Sequence, residues 1–212
     1  MPVVPNIPEL MHRTLFRTVS LLAPSRQGEI LGRYFDWWHR SPDPWRLSTD
    51  SYEREKYAAT LADLPARPYR DIVEVGCAEG VFTQALAETF PEAEITGLDI
   101  SGRALARARA RVREERVRFV RANILTHRAD RRFDLAFCAE TLYYLGREER
   151  LRRASDRLGD LLAPGGVLVA VHPWPEAGRL HRYLDARAGL TRLSERVHRN
   201  PQRPFTVAVY RA

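Results

Sequence analysis

The chain has 212 residues, of which 29 % are charged and 44 % hydrophobic, as in a soluble globular protein that can bury a core of its own. Two cysteines are too few for a disulfide scaffold, no metal-ligand cluster is evident, and no apolar stretch is long enough for a transmembrane helix or signal peptide. We therefore expect a cytoplasmic protein without a metal. The net charge of +7 permits a nucleic-acid partner, but acidic and basic residues are mixed, as on solvated helix faces.

The N-terminal part is predicted to be a helical lid over residues 1–66, followed by a catalytic core over residues 67–212. The lid begins with a Pro-rich, irregular stretch and then shows helical spacing of apolar residues, interrupted at prolines. Residues 1–6 are predicted to be irregular. Helices are predicted over residues 7–22, over 25–40 with Ser25 as N-cap, and over 51–64.

Two features of the lid point to a ligand. The run Tyr34-Phe35-Asp36-Trp37-Trp38 either packs the lid on the core or forms an aromatic wall for a substrate such as a sugar ring. In the third helix, Tyr52, Lys56 and Thr60 share a face that is not apolar and that could point at a ligand. Lys56 is the one lysine among 34 basic residues. Either this position needs a compact ammonium group, or the lysine has been retained there by chance.

The rest of the chain alternates between strand and helix patterns and ends in a hairpin. The predicted strands cover residues 71–76, 94–100, 117–123, 133–138, 167–171, 190–198 and 205–211. This order predicts an α/β fold: a Rossmann-like, doubly wound, seven-stranded sheet with a C-terminal antiparallel hairpin and the N-terminal helical lid. In such a sheet the ligand lies across the carboxyl ends of the strands.

The first predicted strand ends in a glycine-bounded turn. Glu74 lies in the strand, and Gly76 and Gly80 bound the turn that opens the next helix. Asp99 lies at the carboxyl end of the second strand, where a carboxylate can accept hydrogen bonds from both ribose hydroxyls of an adenosine. The pairing of turn and carboxylate indicates a nucleoside-containing ligand.

These residues resemble those of class I S-adenosylmethionine-dependent methyltransferases. The likeness covers residue 71 to the C terminus and rests on Glu74-x-Gly76-x-x-x-Gly80 and residues 98–101, 122–123, 133–135 and 162–166, with Ala78 where a glycine is usual. A narrower likeness, to the nodulation protein S group, rests on residues 34–36, 41–45, 52–57 and 139–145. Members of that group N-methylate an amino sugar at the end of a deacetylated chitooligosaccharide.

The resemblance implies S-adenosyl-L-methionine as cofactor and S-adenosyl-L-homocysteine as product. Glu74 would hold the methionine amino group, Asp99 the ribose hydroxyls, and Asn123 the adenine edge. The Lys56 ammonium would face the cofactor's carboxylate from the lid. The implied cofactor-binding residues are Trp45, Tyr52, Lys56, Glu74, Gly76, Cys77, Ala78, Gly80, Phe82, Asp99, Ile100, Asn123, Ile124 and Glu140.

Three residues are expected beside the methyl acceptor: His172, Glu140 and Tyr143. His172 is the preferred general base because the pKa of an unperturbed histidine, about 6.5, lies near working pH. Its alternative interpretation is a buried histidine at a strand end, satisfied by backbone groups.

The expected activity is methyl transfer to a small, carbohydrate-containing acceptor, namely the amine of an amino sugar or of a sugar-bearing natural product. O-methylation of a natural-product hydroxyl is the alternative. A nucleic-acid methyltransferase is less favoured because residues 139–142 lack the Asn/Asp-Pro-Pro-aromatic run of base-amine enzymes. A non-catalytic cofactor-binding scaffold is a further alternative. We expect no nucleic-acid or membrane partner, and a monomer or homodimer.

Overall fold

The computed structural model describes residues 7–212, so the irregular segment predicted for residues 1–6 lies outside the described part of the chain. Its α-helices are α1 (Ile7–Val19), α2 (Pro24–Trp38), α3 (Ser51–Ala62), α4 (Val81–Thr89), α5 (Gly102–Arg111), α6 (Glu148–Asp160) and α7 (Glu176–Asp185). Its strands are β1 (Asp71–Val75), β2 (Glu94–Asp99), β3 (Val117–Arg121), β4 (Phe133–Ala139), β5 (Leu162–Pro173), β6 (Thr191–His198) and β7 (Phe205–Arg211). A 3₁₀ helix covers Leu142–Leu145.

The strands form one sheet in the order β3-β2-β1-β4-β5-β7-β6. The pairs β3-β2, β2-β1, β1-β4 and β4-β5 are parallel, whereas β7 is antiparallel to both β5 and β6. The predicted doubly wound, seven-stranded sheet with its C-terminal hairpin is therefore confirmed. The direction of winding reverses at β1, and ligands bind at the carboxyl ends of strands beside such a reversal.

Both faces of the sheet are covered, which explains why the central strands are almost continuously apolar. Successive residues of β1 point to opposite faces, so Val73 belongs to one core and Ile72 to the other. The first core includes Leu158 of α6 and Leu184 of α7, and the second includes Leu86 of α4. The two buried cores hold the carboxyl ends of the strands in fixed positions.

Several predicted boundaries differ from the structure, and two of the differences have a clear physical cause. Helix α2 begins at Pro24 with Ala23 as N-cap, rather than with Ser25, because proline is well suited to the first helical position. Strand β5 begins at Leu162, which pairs with Phe133, rather than at the predicted residue 167, and it therefore includes the turn Pro164-Gly165-Gly166. The turn is instead an irregularity within β5, where Gly165 has φ of +74°.

The N-terminal helices are bound to the carboxyl edge of the sheet by polar contacts. Oδ1 of Asp36 in α2 accepts hydrogen bonds from Oγ of Ser101 at 2.7 Å and from the amide of Arg103 at 3.1 Å. The side-chain amide of Asn123 donates to the carbonyl of Pro24 at 2.8 Å. In residues 7–212, no helix combines the length and apolar character that crossing a bilayer requires.

Candidate active site

The turn after β1 brings backbone close to the carboxyl edge of the sheet. Gly76 has φ of +82°, and a Cβ there would lie only 2.3 Å from Oγ1 of Thr141, so a larger residue is excluded. Ala78 also has positive φ, +47°, a conformation that L-residues adopt only at a cost. The turn therefore holds a strained backbone at the point where the sheet reverses its winding.

Asp99 is fixed by this turn. Its Oδ2 accepts a hydrogen bond from the amide of Ala78 at 2.9 Å, and its Oδ1 accepts one from the amide of Ser101 at 2.8 Å. Burial raises the pKa of Asp99, while these backbone donors act in the opposite direction. Each carboxylate oxygen has further lone-pair capacity, so the group can accept from a pair of ligand hydroxyls.

A cavity of about 370 Å³ lies over the carboxyl ends of β1, β2 and β4. This volume falls within the range of sites that enclose small molecules and cofactors. Its β2 side carries Gly76, Ala78, Leu98, Asp99, Ile100, Ala122, Asn123 and Ile124. Its β4 side carries Glu53, Lys56, Ala139, Glu140, Thr141, Tyr143, Tyr144, Leu145 and Arg203. Leu31, Phe35, His39, Trp45 and Leu47 cover it from the N-terminal helices and the loop that follows α2.

The β4 side contains a cluster of charged groups, which we call the Glu140 cluster: Glu53, Lys56, Glu140, Tyr143 and Arg203. Nζ of Lys56 lies 2.9 Å from Oε2 of Glu53 and 3.0 Å from Oε1 of Glu140. Although burial disfavours the charged form, the two carboxylates outweigh it and raise the pKa of Lys56. The lysine is therefore a buried cation between two anions.

Glu140 has positive φ, +52°, which directs its side chain from the tip of β4 toward the cluster. Its Oε2 accepts a hydrogen bond from the hydroxyl of Tyr143 at 2.9 Å. Burial raises the pKa of Tyr143 well above its usual range, so the phenol stays protonated and remains a donor. Both oxygens of Glu140 thus have fixed partners on the protein side.

The cover over the cavity is held by a second polar group, centred on Glu79 in the glycine turn. Its Oε1 lies 2.9 Å from Nδ1 of His39 and 2.8 Å from the guanidinium of Arg107 in α5. The amide of Asp43 donates to the same carboxylate at 3.1 Å. These contacts fasten the loop that carries Trp45 to the core of the domain.

The structure brings nine of the predicted cofactor-binding residues to the cavity wall: Trp45, Lys56, Gly76, Ala78, Asp99, Ile100, Asn123, Ile124 and Glu140. It buries the other five beneath the wall: Tyr52, Glu74, Cys77, Gly80 and Phe82. Burial raises the pKa of Glu74 to about 7, and the hydroxyl of Thr83 donates to its carboxyl group. The carboxyl group of Glu74 therefore already has a hydrogen-bond partner in α4.

Two residues on the wall have partners that differ from those expected. The ammonium of Lys56 is held by Glu53 and Glu140 rather than left free for a ligand carboxylate. The side chain of Asn123 donates to the carbonyl of Pro24, and its Oδ1 accepts from the amide of Leu125 at 3.0 Å. Asn123 therefore joins α2 to the core in addition to lining the cavity.

His172 does not reach the cavity. The ring is fully buried, its Nε2 accepts a hydrogen bond from the amide of Leu142, and its Nδ1 lies 3.0 Å from Nε2 of His181. Burial lowers the pKa of His172 well below its usual value. His172 is thus a buried histidine at a strand end, as in the alternative interpretation, although only Nε2 has a backbone partner and Nδ1 faces the His181 side chain. It is unsuited to act as a base on a ligand in the cavity.

Some wall residues were missed from the sequence, among them Leu31, Glu53 and Arg203. Glu53 precedes Lys56 by three positions on α3, a spacing that could have indicated an ion pair. Arg203 follows β6 in a connection without any local motif, and nothing in its sequence surroundings indicates that it faces β4. Only the pairing of β5, β7 and β6 brings it there.

The family model described as Nodulation protein S matches residues 35–195. Nodulation protein S of Sinorhizobium fredii (strain NBRC 101917 / NGR234) is 36 % identical over 129 residues, which are 60 % of this chain and 59 % of that protein. Trans-aconitate 2-methyltransferase of Deinococcus radiodurans is 37 % identical over 149 residues, 70 % of this chain and 55 % of that protein. The chain thus spans somewhat more than half the length of these curated relatives.

Among solved structures, the chain is similar to the N-methyltransferase NodS from Bradyrhizobium japonicum WM9 in complex with S-adenosyl-L-homocysteine. The TM-score is 0.75 at 28 % identity, and the match covers 85 % of this chain and 97 % of that chain. A second structure of NodS from the same strain matches with a TM-score of 0.66 at 28 % identity and covers 76 % of this chain.

Proposed function

The chain belongs to the nodulation protein S family, and on that premise we propose that it transfers a methyl group from S-adenosyl-L-methionine to the amine of a small acceptor. The acceptor we propose is an amino sugar or a sugar-bearing natural product. The observation that carries this proposal is that Asp99 at the tip of β2 and Glu140 at the tip of β4 line one cavity, on either side of β1.

The β2 side fits the nucleoside part of the cofactor. The Asp99 carboxylate is oriented by two backbone amides and has capacity for the two ribose hydroxyls. Ile100 and Ile124 supply apolar surface for a flat base, and the positive φ of Gly76 keeps the turn open for the methionine chain. Residues 1–66 would act as the lid, with Phe35 and Trp45 covering the cavity.

When bound, the cofactor supplies an electrophilic methyl group on a sulfonium. The chain therefore has to orient a neutral nucleophile and exclude water, and such positioning can lower a barrier by roughly 7 to 11 kcal/mol. Tyr143, Tyr144 and Leu145 on the β4 side, with the rings of the lid, provide that dry, shaped wall.

An amine acceptor must also lose its ammonium proton. Glu140 is the carboxylate that faces the cavity at the β4 tip, and we assign the proton to one of its oxygens. The Tyr143 hydroxyl and the Lys56 ammonium hold the carboxylate in place and stay protonated. His172 has no part in this assignment, because both its ring nitrogens are engaged inside the core.

O-methylation is the second candidate. The likeness to trans-aconitate 2-methyltransferase supports it, since that relative's named acceptor offers carboxylate oxygens instead of an amine. An oxygen nucleophile of that kind needs no proton acceptor, so the Glu140 cluster would then serve for binding alone.

A panel of acceptors separates these candidates. The full chain is incubated with S-adenosyl-L-methionine and one acceptor per reaction. The acceptors are amino sugars, simple amines, hydroxylated natural products, trans-aconitate and RNA. The mass of each product is measured by mass spectrometry. The proposal predicts a gain of one methyl mass on amino sugars. Exclusive methylation of an acid, a hydroxyl compound or RNA would refute it, and tight binding of S-adenosyl-L-homocysteine without any transfer would favour a scaffold role.

A further inference from the structure

Arg203 is the outermost member of the Glu140 cluster. Its side chain is 53 % exposed, compared with 21 % for Glu140 and 2 % for Lys56. It lies in the connection between β6 and β7, beyond residues 35–195 to which the family model matches. Of the charged groups in the cluster, this guanidinium is therefore the one most open to solvent.

We propose that Arg203 selects the methyl acceptor by donating hydrogen bonds to neutral hydroxyl oxygens next to the methylated nitrogen. This inference rests on the proposed function, since it names the group that recognises the sugar part of the acceptor. It also assigns a role to the hairpin.

The hairpin that carries Arg203 is fixed against α3. The carboxylate of Asp63, only 3 % exposed, lies 3.0 Å from the guanidinium of Arg196 and 2.8 Å from Nε2 of His198. The side-chain amide of Asn200 donates to Glu55 at 2.7 Å. These contacts hold the segment before Arg203, and the amide of Trp174 donates to the carbonyl of Pro204 at 3.0 Å directly after it. The backbone at Arg203 therefore has a defined position relative to the cavity.

The guanidinium itself is oriented but has donor capacity left. It lies over the ring of Tyr52, 5.0 Å from the centroid, and its Nε donates to the Tyr52 hydroxyl at 3.3 Å. One terminal nitrogen is 3.8 Å from Oε1 of Glu140, which is beyond hydrogen-bond distance. Within residues 7–212, the terminal nitrogens have no hydrogen-bond acceptor, so their N–H groups are available to a ligand.

The charges around Arg203 favour neutral hydroxyl groups over a carboxylate as its ligand. A carboxylate bound to the guanidinium would lie beside Glu140, whose negative charge already faces Arg203, and the two anions would repel each other. Hydroxyl oxygens accept the same N–H groups without that repulsion. The cluster thus discriminates a hydroxylated amine from a polycarboxylate, and such recognition penalises analogues that lack the hydroxyls.

Isothermal titration calorimetry on the full chain saturated with S-adenosyl-L-homocysteine tests this. The ligands are glucosamine, cyclohexylamine as an amine without hydroxyls, and trans-aconitate. The variants are Arg203→Gln, Arg203→Lys and, as control on the same hairpin, Arg199→Gln, which removes an equal charge from an exposed position. Parallel assays measure methyl transfer to both amines.

We expect Arg203→Gln to weaken glucosamine binding at least tenfold and cyclohexylamine binding several times less, and Arg199→Gln to change glucosamine binding less than twofold. Arg203→Lys should bind glucosamine much more weakly than the wild type, because the lysine ammonium is a point charge and lacks the planar fork of donors of a guanidinium. An equal loss for both amines, full recovery with lysine, no glucosamine binding, or tighter binding of trans-aconitate by the wild type would overturn the inference. Transfer to both amines without dependence on Arg203 would overturn the inference alone, whereas no transfer to either amine would refute the proposed function.

Discussion

Nζ of Lys56 lies 3.0 Å from Oε1 of Glu140, a residue 84 positions later in the chain. The contact joins α3 to the tip of β4. Since Glu53 holds the same ammonium from within α3, the lysine is a buried cation between two carboxylates and is not free for a ligand.

Replacing Lys56 by methionine should destabilise the protein by about 3–5 kcal/mol, because two carboxylates would face each other without their cation. Urea unfolding at pH 7.5 measures this. The double variant Lys56→Met/Glu53→Gln removes one of the stranded charges and should recover part of the loss. If Lys56→Met is as stable as the wild type, the ion pairs of Lys56 contribute little to the free energy of unfolding.

The Asp99→Asn substitution should weaken binding of S-adenosyl-L-homocysteine about 10- to 100-fold, since hydrogen bonds to a charged group are worth about 1.5–3 kcal/mol. Calorimetric titration gives the dissociation constant. Asp134→Asn is the matched control: this residue also accepts from two backbone amides, those of Arg70 and Asp71, but at the opposite end of the sheet. Equal effects of the two substitutions would remove Asp99 from the ligand site.

Residues 7–34 precede the region that the family model matches. Within them, Gln27 in α2 contacts the core of the protein. Its buried side chain donates to the carbonyl of Leu145 and accepts from Nε of Arg150, both at 3.0 Å. Gln27→Leu should lower the free energy of unfolding by roughly 2–4 kcal/mol, because a buried carbonyl and a guanidinium N–H lose their partners.

Urea unfolding checks this prediction, with Gln84→Leu as control because it removes a hydrogen bond with Glu88 at the exposed surface of α4. The control should change the stability by less than about 0.5 kcal/mol. If both variants lose the same small amount of unfolding free energy, Gln27 does not anchor α2 to the 3₁₀ helix.

The buried pair His172 and His181 should make the protein less stable in mild acid. Burial lowers the pKa of His181 to about 4, whereas a histidine in the unfolded chain has a pKa of about 6.5. Between these values the unfolded state binds a proton that the folded state does not, so the free energy of unfolding falls as the pH drops through this window.

His181→Gln isolates this contribution, because Glu74, whose pKa is raised to about 7 by burial, acts in the opposite direction in both proteins. Urea unfolding at pH 7.5 and pH 5.0 should show a smaller loss of stability in acid for the variant than for the wild type. Identical losses would show that His181 titrates normally in the folded protein.

Much of the fold could be predicted because its signals are local. The apolar runs of β1 to β4 and the glycine turn lie within a few residues of the features they determine. The positions of Asp99 and Glu140 on the cavity wall follow from their places at the carboxyl ends of strands.

The remaining features depend on contacts between distant segments. His172 follows an apolar strand in the sequence, and its burial depends on His181 in α7. The ion pair of Lys56 with Glu140 and the place of Arg203 at the cavity depend on α3, β4 and the hairpin coming together. No periodicity or motif near either residue contains that information.

The most direct test of the account is the atom that receives the methyl group. The wild-type protein is incubated with S-adenosyl-L-methionine carrying a ¹³C-labelled methyl group and with glucosamine, and the product is examined by NMR. The account predicts a ¹³C-methyl group bonded to the amine nitrogen. A methyl group on a sugar oxygen, or no labelled glucosamine from a protein that binds S-adenosyl-L-homocysteine tightly, would contradict it.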